Sequence, residues 1–316
     1  MTAMPAPAGP QAAALAALVL GAVAMGISPI FVRFAAADVG PFASAFWRVA
    51  LALPALYAWM RIEEAGRPGG RRGPAFAPGV LFAGLAFTGD LFFWHLAILG
   101  TTVANATFLA TTAPIVVVLA TWAAYGRRPA RATVTGLALC LAGGTALVGQ
   151  SLSIDPGRAL GDAYGLATAL FFGLYFLGVE RARAAGAGAA RVTFELSLVT
   201  AAALLAVALV ANLAAGQAVL PRSAGGVAAL VAMALVSHAG GQGLLAVALG
   251  RLPATFSSLV IFLEAVAAAG FGWLILREAL APVQILGGAL ILVGIWWARP
   301  RPARARDDGT LAGEQP

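Results

Sequence analysis

The chain has 316 residues, of which 61% are hydrophobic and 10% charged, with a mean hydropathy of +0.89; a soluble globular domain is nearer a quarter charged. That excludes a soluble fold, and the formal net charge of +7 does not indicate nucleic-acid binding, because the arginines fall between apolar runs and at the C-terminal end. The single cysteine, Cys140, rules out an intrachain disulfide and a Cys-based metal cluster, and no metal or cofactor is expected.

A helix needs about 20 mostly apolar residues to cross the hydrocarbon core. Ten stretches meet that requirement: 11–33, 40–60, 77–99, 103–125, 132–150, 160–180, 192–214, 224–249, 254–276 and 281–298. The first lacks a basic segment before it and a small-residue cleavage site after it, so it reads as a retained span rather than a signal peptide. It carries Pro29 after Ser28. Span two carries Pro54, and span four Pro114. Each proline removes a backbone hydrogen bond, so the three are the expected kinks and hinge positions.

Ionisable side chains inside spans usually face the bundle interior and often mark pathways, since each costs roughly 2.5–3.5 kcal/mol at the bilayer centre on insertion scales. Arg48 in span two is a fixed positive charge suited to a carboxylate or phosphate, or else a packing group neutralised by Glu195 of span seven. In span three, Asp90 and Trp94 share one helix face, while Thr88 and His95 share another roughly 140° away. Only one of these faces can point straight at a central cavity. Asn105 and Thr112 form a lining stripe in span four, with Phe92, Phe93, Trp94 and Phe108 clustered around the same hairpin.

In span eight, His238 and Gln242 make a polar stripe on an otherwise apolar helix, where a histidine could relay protons or simply bond a neighbouring helix. Span nine carries Glu264, with Ser257 seven residues earlier on the same face. Glu264 reads as a proton-titratable or cation-binding group, against the alternative of a structural hydrogen bond. Glu278 lies just before the Pro282 start of span ten and reads as structural, favouring a helix N-terminus. Trp296 and Trp297 end that span as interfacial anchors.

Fifteen of the 20 arginines fall on one side of this ten-span alternation; Arg33, Arg158, Arg222 and Arg277 fall on the other and Arg48 within a span. Cytoplasmic loops retain positive charge, so both termini are expected in the cytoplasm. Sliding the chain by 150 residues lays Leu99, Gly100 and Ala104 over Leu249, Gly250 and Ala254, and Arg127 over Arg277. An offset of 151 lays Gly136 and Gly143 over Gly287 and Gly294. Five spans per half make the second copy enter from the opposite side, an inverted-topology repeat typical of secondary transporters. The expected division is an N-terminal cytoplasmic tail 1–10, one repeat over 11–150, a second over 160–298, and a cytoplasmic disordered tail 299–316.

Several residue groups carry a resemblance to a known family. They are Phe46-Trp47-Arg48, the hairpin from Asp90 through Trp94-His95 and Gly100 to Asn105 and Thr107, Ala113-Pro114-Ile115, and Leu276-Arg277-Glu278 followed by Pro282, Gln284, Gly287 and Gly294. In order and spacing, the chain resembles the EamA-type ten-span transporters of the drug/metabolite transporter superfamily across residues 11–298. The resemblance implies an all-α membrane protein of ten helices in two inverted five-helix repeats around a central cavity, in the bacterial cell inner membrane. It also implies transport of small metabolites, amino acids or related compounds and drugs, driven by an ion gradient or the solute's own. Two departures stand out. Glu264 occupies the place where the family usually carries a proline, in register with Pro114, and Gly126-Arg127-Arg128 stands where a glutamate often ends span four.

The expected function is therefore a secondary transporter, read as an exporter, working by alternating access on a small-molecule substrate, with proton coupling through Glu264 as an option. Its partners are that substrate and the lipid bilayer, not nucleic acid, and a monomer or a homodimer is left open. The rival readings are a membrane-embedded enzyme and a non-transporting receptor or assembly factor. No catalytic residues are expected, since no His-Glu-x-x-His or Gly-x-Ser-x-Gly pattern occurs, and no sizeable soluble domain is present to carry a signal.

Overall fold

The computed structural model describes residues 9–66, 74–126, 128–149, 156–216, 218–277 and 279–300. Arg67, Arg71, Arg72, Arg127, Arg301, Arg304, Arg306 and Glu278, which entered the charge and capping arguments above, lie outside them, as do most of both tails.

The described residues fold as helices without strands. Among the described residues, nine helices are long and apolar enough to cross a membrane: Pro10–Val32, Asp38–Ala65, Pro78–Gly100, Asn105–Ala124, Arg131–Val148, Pro156–Ala184, Ala189–Asn212, Ala224–Leu249 and Ala254–Ile275. A tenth, shorter apolar helix spans Pro282–Ala298. We number these spans one to ten. Odd spans run away from the end of the bundle that holds Pro10 and Ala298, here the terminal end, and even spans run back to it. Contacts at each end agree with this course: Gly100 meets Gly161 at the opposite end, and Gly136 meets Ala298 at the terminal end.

Prolines open many of the helical segments, standing at the first or second position of those beginning at Pro10, Ser28, Leu53, Pro78, Ala113 and Pro282. There the missing N–H costs nothing and the fixed φ suits the helix. Thr102 and Ser223 cap spans four and eight by accepting from the N–H of Asn105 and of Gly226. Span two kinks near its start at Gly40, whose φ of 73° suits a residue without Cβ.

Lipid gives helices no hydrophobic incentive to associate, so close backbone packing has to supply it. Spans five and ten meet through Gly136, Gly143, Gly287 and Gly294; a Cβ at Gly143 would stand 2.6 Å from the Gly287 carbonyl oxygen. The Gly100–Gly161 contact does the same for spans three and six, and Gly21 lies against Gly241 to join spans one and eight.

Six acidic side chains fasten the bundle at its two ends. Glu63 accepts from the Ala189 and Ala190 N–H groups at the start of span seven, at 3.1 and 3.0 Å. Glu180 accepts from Ala254 N–H at 2.7 Å, at the start of span nine. Glu195 accepts from Phe76 N–H and from Arg191, and Glu64 lies 3.9 Å from Arg191. At the other end, Asp38 accepts from the Arg222 and Ser223 N–H groups, and Asp162 accepts from the side chains of Thr101 and Asn105. Most of these carboxylates sit at the positive end of a helix dipole, where anions are favoured. Trp47 adds a bond from its indole N–H to the Val219 carbonyl at 2.7 Å.

Candidate functional site

A cavity of about 60 Å³ lies among spans one, two, three, four, six, eight and nine. Its charged and polar wall is Arg48, Asp90, Gln242, Glu264, Ser28, Thr107, Thr111 and Thr168, and its apolar wall includes Met25, Phe87, Trp94 and Phe172. Arg48 and Asp90 are buried, at 6% and 7% exposure.

Five of the seven contributing spans lose helical regularity at the depth of the cavity. Span one breaks at Ile27, between segments Pro10–Gly26 and Ser28–Ala50, and places Met25, Ser28 and Pro29 on the wall. Span two breaks at Leu51 and Ala52, just beyond Arg48. Span four breaks at Thr111 and Thr112, between Val103–Ala110 and Ala113–Tyr125. Span eight widens into a π-helix over Met233–Gln242, a form frequent at functional sites, and presents Gln242 at its end. Span nine breaks at Ile261, and its second segment, Phe262–Leu276, carries Glu264 in its first turn. Irregular backbone at membrane depth is tolerated only where protein or a water-filled cavity satisfies it.

The breaks at 111 and 261 are one repeat unit apart. Pro114 accounts for the first, while the second forms with Glu264 in the equivalent place. There the span-nine backbone approaches span one closely: a Cβ at Gly26 would lie 2.8 Å from the Glu264 carbonyl oxygen.

The three charges stand apart from every other described acid. The six acids at the bundle ends are held by bonds or ion pairs, whereas Asp90 and Glu264 make no side-chain hydrogen bond among the described residues. Arg48 interacts electrostatically with both, yet no ion pair within 4 Å joins them and the Arg48 Nε–H has no acceptor. Ser28 Oγ is likewise buried and unbonded. A buried polar group without a partner costs roughly 1–3 kcal/mol, more if charged, so this cavity concentrates unmet hydrogen-bonding capacity.

Other sequence candidates fall elsewhere. Of the two faces of span three, Asp90 and Trp94 line the cavity. His95 is buried beside it and donates from Nδ1–H to the Leu91 carbonyl at 2.6 Å. His238 is buried against Ser197 Oγ at 2.9 Å, and its ring stacks with Phe87. Gln242 does reach the cavity, held by Tyr175, whose hydroxyl donates to Oε1 at 2.8 Å. Asn105 sits at the membrane edge in the Thr102–Asp162 network. Thr112 donates to the Leu109 carbonyl, and it is Thr107 and Thr111 that line the cavity. Ser257 is buried without a bonded partner, away from the cavity lining. Pro29 lies on the wall, while Pro54 is exposed and Pro114 buried behind the break.

The alternative partner for Arg48 is corrected: Glu195 lies at the terminal end, engaged with Phe76 and Arg191. Sequence reasoning missed Thr168, Phe172 and Tyr175, which follow at i, i+4 and i+7 on one face of span six. That spacing was the available signal.

A wider groove of about 830 Å³ opens among spans three, four and six at the terminal end. Its wall is mostly small and apolar, with Arg181 and with Glu180 committed to span nine, so it lacks the paired carboxylates of the central cavity.

The family profile of the EamA-like transporter family matches residues 12–149 and again 159–299. The chain belongs to the EamA-like transporter family. The two matches in tandem account for the two-repeat architecture, and an EamA-type protein is a multi-pass membrane transporter of the drug/metabolite superfamily. Among solved structures, a crystal structure of a protein at 18% identity superposes with a TM-score of 0.76, covering 91% of this chain and 97% of the other; at that identity it speaks for the fold alone. No curated protein matches this chain.

Proposed function

We propose that this EamA protein is a secondary active transporter of the bacterial inner membrane, exporting small metabolites such as amino acids or related compounds by alternating access around the Arg48–Asp90–Glu264 cavity. The observation that carries the reading is the gathering of three unpartnered charges at the level where five spans lose helical regularity. Tightened turns and π-helix inside a helix are frequent at functional sites and hinges, and an intramembrane charge held only for structure would be expected to find a hydrogen-bonded partner. The cavity, at about 60 Å³, is far below the 300–1,000 Å³ of a typical drug-sized ligand site, so a solute enters only after the spans open. The breaks at Ile27, Thr111 and Ile261 are where such opening would hinge.

The proposed organisation keeps two repeats, 11–150 and 160–298, between cytoplasmic tails 1–10 and 299–316, on the strength of the arginine distribution. Reporter fusions at the two termini test that orientation. Transport is tested in proteoliposomes, by measuring solute flux with and without an imposed pH gradient. The expected result is flux that responds to the gradient and loses that response in Glu264→Gln. A response surviving intact in this variant rules out Glu264 as the coupling group, and absence of flux for every solute class rules against transport.

A further inference from the structure

The charges on the cavity wall do not balance. Arg48 contributes one positive charge, and Asp90 and Glu264 contribute two negative ones when ionised. The other titratable groups nearby, His95, His238 and Tyr175, do not line the cavity wall. His95 of span three is tied through Nδ1–H to Leu91. His238 of span eight is bonded to Ser197 of span seven, and Tyr175 of span six gives its hydroxyl to Gln242. At membrane depth such an imbalance is costly. It is closed either by a proton on one carboxylate or by a positive charge brought from outside.

Resting on the transporter reading of this cavity, and narrowing its solutes from amino acids to the related amines, we propose that its substrate is an organic monocation, an ammonium on a compact apolar or aromatic stem, seated between Asp90 and Glu264 and exchanged for one proton. Trp94, Phe87 and Phe172 supply the apolar wall for the stem and ring faces for the cation. The exchange balances: the protonated site plus R–NH3⁺ gives the occupied site plus H⁺, with the site holding one added positive charge throughout. A zwitterion places its carboxylate on Arg48 and its ammonium on one carboxylate, adds no net charge and displaces no proton. A carboxylate anion requires the site to take a further proton up.

The test titrates purified full-length protein in weakly buffered detergent solution at pH 7 with phenethylammonium, phenylalanine and phenylpropanoate, following a pH dye and thermal stability together. The expected proton release per bound molecule is about one, zero and minus one. Asp90→Asn and Glu264→Gln each remove one negative charge. In either variant the release by phenethylammonium falls to near zero and its affinity falls at least tenfold, with size-exclusion profiles reporting that the variants are folded. The inference is overturned if the zwitterion or the anion stabilises the protein and phenethylammonium does not. It is equally overturned if phenethylammonium fails to bind, binds without releasing a proton, or releases one undiminished in both variants. Flux of a zwitterion or anion in proteoliposomes alongside such a failure leaves the transporter reading standing. Proton release without flux of any solute does the reverse.

Discussion

Replacing Gly143 by alanine tests whether spans five and ten are held by backbone contact. The new Cβ would lie 2.6 Å from the Gly287 carbonyl oxygen and 2.9 Å from Ile291 N. Ordinary van der Waals contact begins near 3.4 Å, so the helices must separate locally by about 0.8 Å. Neither contacting atom is a flexible side-chain end, and the same seam continues through Gly136 and Gly294, so the separation loosens neighbouring contacts too. Overpacking of a well-packed site costs about 1–3 kcal/mol, from which up to about 1 kcal/mol of helix propensity gained over glycine is subtracted. A net loss of about 1–2 kcal/mol is expected, read as a lowered midpoint in thermal or steric-trapping unfolding. Gly270, within the span-nine helix with nothing inside 4 Å of its ideal Cβ, is the internal control: Gly270→Ala is expected to be neutral or stabilising by up to about 1 kcal/mol. If Gly143→Ala is as stable as the parent, or Gly270→Ala loses as much, the packing argument fails.

Tyr175→Phe removes the donor that holds Gln242 and should cost about 0.6–1.7 kcal/mol, the range for interhelical bonds in membranes; equal unfolding midpoints for variant and parent would count against that bond. Glu180→Ala takes away the carboxylate that accepts from Ala254 N–H and should destabilise by about 1 kcal/mol, the scale of a lost helix cap, measurable by the same unfolding assay. Arg277 ends span nine with φ of 57°, a conformation costing a side-chain-bearing residue about 1–2 kcal/mol, so Arg277→Gly should raise the unfolding midpoint. Cys140 is fully buried between spans five and ten; a maleimide should label it only after denaturation, as mass spectrometry will show.

Much of the architecture was legible because hydropathy and length are set by the bilayer. The first span, read as 11–33, is Pro10–Val32, and the fourth, read as 103–125, is Asn105–Ala124. Prolines also announced three of the interruptions, at Ile27, at Leu51 and Ala52, and at Thr111 and Thr112. The break at Ile261 and the π-helix over Met233–Gln242 carry no proline and no local signature. They depend on what packs around them, such as the approach of Gly26 to the Glu264 backbone, which a single chain read linearly does not display. Arg48, Asp90 and Glu264 drew attention through the cost of burying charge, but which face of span three turns inward is decided by helix rotation. That rotation puts Asp90 and Trp94 on the wall and His95 beside it. Asn105 and Glu195 resembled interior polar groups because spans three, four and seven end only a turn or so away from them, and edges are where hydropathy is least informative.

Five of the six acid anchors at the bundle ends join a residue before 150 to one after 156: Asp38 to Arg222 and Ser223, Glu63 to Ala189 and Ala190, Glu64 to Arg191, Glu195 to Phe76, and Asp162 to Thr101 and Asn105. The two tandem copies are thus woven through one another, and the boundary between them in the gene is not a seam in the molecule. Two polypeptides made by cutting the chain between 149 and 156 would each leave these anchors without their counterparts. Co-expressed, they should find each other in the membrane and rebuild the bundle as a noncovalent pair.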